Sequence, residues 1–115
     1  MRTIKFRVWD GERMVVPATI ANGLNESSLM QFTGLLDKNG KEIYEGDIIE
    51  MFISDTSPVP FKVTTSIFFH EGVFCVLKMN EEPLTLREAI IISNKTKKRL
   101  EIIGNIYENP DLLTL

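Results

Sequence analysis

Phe61-Lys62-Val63-Thr64-Thr65-Ser66-Ile67-Phe68-Phe69-His70-Glu71-Gly72-Val73-Phe74-Cys75-Val76-Leu77-Lys78 reads as a β-hairpin. Aromatic and β-branched residues dominate it, the composition of a pleated, half-buried surface. With a period of two, Phe61, Val63, Thr65, Ile67 and Phe69 fall on one face of the first strand. His70-Glu71-Gly72 then turns the chain into a second strand, Val73 to Lys78.

Upstream, Asp55-Thr56-Ser57-Pro58-Val59-Pro60 is predicted to be a loop, because proline has no amide to donate to a ladder. Asp47 to Ile53 is predicted to be a strand entered through the turn Glu45-Gly46-Asp47. Asp37-Lys38-Asn39-Gly40 carries the Asn-Gly pair of a tight turn, and Leu29-Met30-Gln31-Phe32 before it is extended. Ile4, Phe6 and Val8 alternate with Lys5 and Arg7, and Asp10-Gly11 turns that strand toward Met14-Val15-Val16, a second hairpin. Residues 22–28 lack periodicity and read as a connection.

Downstream, Thr85-Leu86-Arg87-Glu88 fits a capping box, in which threonine accepts an amide of the first helical turn. Beyond it, Ile90-Ile91-Ile92 suits a short helix and a strand equally. Leu100 to Ile106 is predicted to be the last strand, and Asn109-Pro110-Asp111 to open a final helical turn. Many short strands without strand-helix alternation predict a mainly β fold, a small barrel or roll with one or two short helical turns.

The 115 residues suit one domain with one core. They divide into a hairpin over 1–21, a connection over 22–28 and a barrel body over 29–115. At 43% hydrophobic and 25% charged, the chain has the balance of a globular protein and not of a disordered one. A net charge of -3 gives no general attraction to nucleic acid or anionic lipid. Charges interrupt the N-terminal apolar residues, and no apolar run approaches the ~20 residues that span a bilayer, so neither a signal peptide nor an anchor is expected. Asn25-Glu26-Ser27 and Asn94-Lys95-Thr96 match glycosylation acceptors by chance in polar loops.

Four motifs point to one family. Ile4-Lys5-Phe6-Arg7-Val8-Trp9-Asp10, Leu29-Met30-Gln31-Phe32-Thr33-Gly34-Leu35, Asp37-Lys38-Asn39-Gly40-Lys41-Glu42-Ile43-Tyr44-Glu45-Gly46-Asp47-Ile48 and Ile102-Ile103-Gly104-Asn105-Ile106-Tyr107-Glu108-Asn109-Pro110 resemble the YopX family of phage and prophage proteins. The resemblance covers nearly the full length, although residues 54–100 carry no recognised motif. It implies an SH3-like barrel or roll, homo-oligomers, no established biochemical activity, and a place in the cytoplasm of a bacterial host.

Within these motifs, Gly34, Gly40, Gly46 and Gly104 read as turn or bulge positions, and Ile43, Ile48 and Ile106 as core. Packing explains Tyr44, Glu45, Asp47, Tyr107, Glu108 and Asn109 less well. These six are the candidate binding residues, two polar-aromatic clusters that meet if the last strand pairs near the first barrel strand.

Catalytic chemistry finds little support. His70 and Cys75 are the one histidine and the one cysteine. They would share a face only if they paired across the turn, and the simpler reading makes Cys75 a core filler. Asp37 to Glu42 superficially resembles the start of a calcium loop, but Lys41, Glu42 and Ile48 stand where acidic ligands, glycine and the terminal glutamate belong. Zinc-ligand spacing and a phosphate loop are missing from the sequence. No catalytic residue, metal or cofactor is predicted, and the carboxylates, Glu81 and Glu82 among them, read as solvated.

The chain is therefore expected to be a non-enzymatic interaction module whose partner is an unidentified host or phage macromolecule. The alternative is a nucleic-acid binder using the basic cluster Lys95, Lys97, Lys98 and Arg99. Exposed Trp9, Phe32 or Phe52 would mark a protein-binding patch, whereas aromatics interleaved with the basic cluster would mark single-stranded nucleic acid.

Overall fold

A computed structural model describes residues 3–16, 28–53, 59–77, 83–96 and 98–113. Ten strands and one helix follow in the order β1 (Phe6–Trp9), β2 (Met14–Val15), β3 (Leu29–Leu36), β4 (Glu42–Tyr44), β5 (Asp47–Ile53), β6 (Phe61–Ser66), β7 (Phe68–His70), β8 (Val73–Leu77), β9 (Pro83–Thr85), α1 (Leu86–Asn94) and β10 (Glu101–Asn105). A 3₁₀ turn, Pro110–Leu113, comes last. The architecture is mainly β, with a sheet curled into a half-barrel. Its sheets run β2-β1-β3-β4, β10-β5-β6 and β7-β8-β9.

The N-terminal hairpin closes where the Asp-Gly pair predicts. The Asp10 carboxylate accepts the Glu12 and Arg13 amides, and Val8 faces Val15. Strand β1 also pairs β3, Phe6 opposite Gln31, which builds the hairpin into the sheet that opens the body. Residues 17–27, with all but one position of the expected connection, lie outside the described residues, as do 55–58 of the expected proline loop and the acids Glu81 and Glu82.

Strand β5 has the predicted bounds and supplies the centre of the core. Ile48, Ile49 and Met51 are fully buried, and Ile43, Ile53, Val63, Ile67, Val76, Leu86, Ala89 and Leu100 join them. Each such aliphatic side chain contributes about 1.5–3 kcal/mol relative to exposure. Helix α1 lays Leu86, Ala89 and Ser93 against β5 and β8 and turns Ile91 outward. Thr85 caps it, its Oγ1 accepting the Glu88 amide and donating to Glu88 Oε1. The cap decides the Ile90-Ile91-Ile92 run in favour of helix. Ser93 Oγ accepts the Phe52 amide, so the helix supplies a partner where the pairing of β10 with β5 has stopped at Glu50.

Several expectations need correction, among them Ile106, read as core but 36% exposed. The 61–69 run is two strands in two sheets, because at Ile67 the backbone turns to exchange hydrogen bonds with Asp47 and Gly46. Phe69 consequently leaves the buried face and is 53% exposed. The hairpin turn is the two-residue Glu71-Gly72, both at positive φ, which sets His70 opposite Val73 and Cys75 opposite Phe68. His70 and Cys75 are thus not partners. Finally, Arg7, read as the polar face of β1, is buried.

Candidate functional site

The two predicted clusters flank one strand junction. Strand β10 pairs β5 with Asn105 opposite Asp47, and the Ile106 amide donates to Gly46 O at 2.9 Å. Around that junction most of the six candidates are locked. Asp47 Oδ1 accepts from Arg7 at 2.8 Å and Oδ2 accepts the Tyr44 amide at 2.7 Å. Arg7 also donates to Glu45 O and lies 4.8 Å over the Tyr44 ring. Glu45 Oε1 accepts the Gln31 amide. Burial pushes the Asp47 carboxyl above its ordinary range, although Arg7 and the Tyr44 amide pull the other way. Burial likewise raises the Tyr44 phenol.

The C-terminal cluster is built the same way. Asn105 Oδ1 accepts the Tyr107 and Glu108 amides, while Asn109 Oδ1 accepts the Asn105 amide. Asn109 folds over Gly104 so closely that a Cβ there would meet its Oδ1 at 2.6 Å. Tyr107 stacks on Trp9, centroids 5.9 Å apart and planes within 13°. Glu108 is exposed. Tyr44, Asp47, Asn109 and the Tyr107 ring therefore fasten β1 and the segment after β10 to the core. Both Asp47 oxygens are engaged within the fold. Tyr44 OH and Arg7 Nε are buried without a hydrogen-bond partner, a desolvation cost inside this junction.

The described members of the basic cluster are exposed, and two of them have partners in the fold. Arg99 donates to Lys38 O at 2.8 Å, and Lys98 lies 5.4 Å over the Phe52 ring. Lys95 is the exposed C-cap of α1, and Lys97 lies outside the described residues. A polar recess of about 130 Å³ opens beside Arg99 and Lys38, where Glu101 sits 3.1 Å from the Lys38 ammonium. The aromatic markers fare similarly: Phe32 is buried, Trp9 is half-buried under Tyr107, and Phe52 is half-buried under Lys98.

Cys75 is buried, its thiol pushed up by desolvation. Asp37 spends its carboxylate on the turn it was predicted to form and on the barrel. Oδ1 accepts the Asn39 and Lys41 amides, and Oδ2 accepts the Ile102 amide of β10. No group of three or more His, Cys, Asp or Glu side chains is placed to hold a metal ion among the described residues.

The accessible feature lies elsewhere, in a groove of about 650 Å³ between β3, the β7-β8 hairpin and the start of α1. Phe69, Val73, Phe74 and Leu35 line it, with Arg87 at its rim. Phe69 and Phe74 meet edge to face at 5.2 Å, leaving Phe69 and Val73 53% and 45% exposed. Exposed aromatic and aliphatic groups around a concavity are the ordinary ingredients of a protein-binding surface. Sequence reasoning missed these residues because it continued the 61–69 alternation through Ile67. The doubled Phe68-Phe69 was the available signal, since alternation cannot bury both rings on one face.

A family model for the YopX protein matches residues 15–114, so the chain belongs to the YopX family. The crystal structure of protein EF1440 from Enterococcus faecalis is similar, with a TM-score of 0.64 and 25% identity over 98% of this chain and 99% of that one. No curated protein matches the sequence. No helix among the described residues is long and apolar enough to cross a membrane.

Proposed function

We propose that this YopX-family chain is a non-enzymatic protein-interaction module, a phage or prophage accessory protein acting in the bacterial cytoplasm, and that the β3/β7-β8/α1 groove is its contact surface. The observation that carries the reading is the exposure of Phe69 and Val73 on the wall of a groove of about 650 Å³. Leaving such side chains in water costs free energy that a partner recovers by covering them. The polar residues first suspected of binding support the same division of labour, because Asp47 and Asn109 already spend their hydrogen-bonding groups inside the fold. The nucleic-acid alternative has the Phe52 ring beside Lys98 in its favour, but Arg99 already donates to the Lys38 carbonyl and the described cluster lies outside the apolar groove.

The test is nuclease-treated affinity capture from host lysate, comparing the wild-type chain with Phe69→Ser/Val73→Asp. Both positions are exposed, so the variant should fold, as circular dichroism would verify. A protein retained by wild type and lost by the variant is the expected result. Retention that nuclease abolishes, or that the variant leaves intact, would transfer the function to the Lys95 to Arg99 face or to another surface.

A further inference from the structure

The groove runs along an open strand edge. Strand β7 pairs β8 on one side, and no strand pairs its other side among the described residues. Ile67 directs its N–H to Asp47 O and its C=O to the Gly46 amide, each at 2.9 Å. The two-residue Glu71-Gly72 turn makes His70 and Val73 a hydrogen-bonded pair, so Phe69, the next residue, directs its N–H and C=O away from β8. The Phe69 ring already lines the groove. Across it, β3 pairs β1 through Leu29 to Gln31, and its pairing with β4 shifts register between Phe32 and Leu36, where Gly34 sits at φ +85°. A bulge of that kind blunts an edge, which leaves β7 as the wall able to receive a strand. Among the described lining residues Arg87 alone is charged, and none of the ion pairs among the described residues engages it, although the chain as a whole is at -3.

We infer that the groove takes an extended, acidic peptide segment of the partner, which adds as a strand to the β7 edge at Phe69, packs apolar side chains against Phe69 and Val73, and sets a carboxylate against Arg87. This rests on the interaction-module reading and specifies its ligand. Main-chain hydrogen bonds supply the affinity in such strand addition, and alternate side chains supply the specificity. Positive charge at the rim steers an acidic segment and disfavours a basic one.

The probe is a random heptapeptide library displayed on phage and panned on the full chain. The expected winners alternate apolar residues with Asp or Glu. In a synthetic winner, N-methylating each amide in turn should weaken binding about tenfold or more at one position only, the amide that donates to Phe69 O, because β7 leaves no other backbone acceptor open. Panning on the exposed variant Arg87→Glu should exchange the acids for Lys or Arg. The inference is overturned by an N-methyl scan with no single sensitive amide, by acid selection that survives Arg87→Glu, or by a library yielding no peptide whose binding depends on Phe69 and Val73. The capture experiment is read separately. A captured protein that still needs Phe69 and Val73, combined with a failed peptide scan, would keep the interaction reading and remove the extended-peptide ligand.

Discussion

Arg7 and Asp47 are separated by 40 positions and form a buried ion pair at 2.8 Å. Such a pair loses much of its attraction to desolvation, and removing one partner is worse than replacing both. Asp47→Ala strips the acceptor from the Arg7 guanidinium and from the Tyr44 amide, and should cost about 3–5 kcal/mol in denaturant titration. Asp47→Asn keeps one acceptor but sets its NH2 against a second donor and leaves the Arg7 charge unpaired, and should still cost about 3 kcal/mol. The raised carboxyl gives the sign of the pH effect. The folded chain holds the Asp47 proton more readily than the unfolded chain, so this group's contribution is present below the ordinary Asp value of 3.8 and is lost as pH rises through the raised one. Wild type should therefore gain on Asp47→Asn as pH falls through that window, and a wild type that loses ground there would refute the assignment. The pairing was not legible locally: Lys5 and Arg7 look alike in an alternating strand, and only the fold shows that Arg7 meets a buried carboxylate.

Elements whose cause is local were legible, and those set by distant partners were not. Asp47–Ile53, the Asp37 to Gly40 turn and the Thr85 cap follow from proline position, turn chemistry and a capping residue within a few positions. The break at Ile67 follows from the Gly46-Asp47 backbone some twenty residues earlier, and nothing in the alternation of 61–69 announces it. The same limit applies to Asn109, which reads as a helix cap but serves Asn105. Gly104→Ala should expel the Asn109 side chain from the Asn105 amide and cost about 1–3 kcal/mol, the penalty of an unpaired buried amide. Because both changes break one contact, adding Asn109→Ala to Gly104→Ala should cost little more than either alone. Fully additive losses in a double-mutant cycle would show that Asn109 acts elsewhere.

At the scale of the molecule, the described residues form three small sheets and one helix that close a core around β5, and β1 and the segment after β10 are clamped to it through Asp47, Asn109 and the Trp9-Tyr107 stack. The candidate site read from sequence became that clamp. The exposed apolar groove formed where β7 leaves the plane of β6, a consequence of tertiary geometry that four sequence motifs, none of them within 54–100, had no means of revealing. Occupancy of the groove is most directly measured by placing a photoreactive benzophenone amino acid at position 73 and, as a control, at position 91, where Ile91 is 52% exposed on α1 away from the groove lining. Irradiation in host lysate should give a discrete protein adduct from position 73 and none from position 91. Adducts from position 91 alone, or nucleic acid as the only adduct from either, would contradict the account.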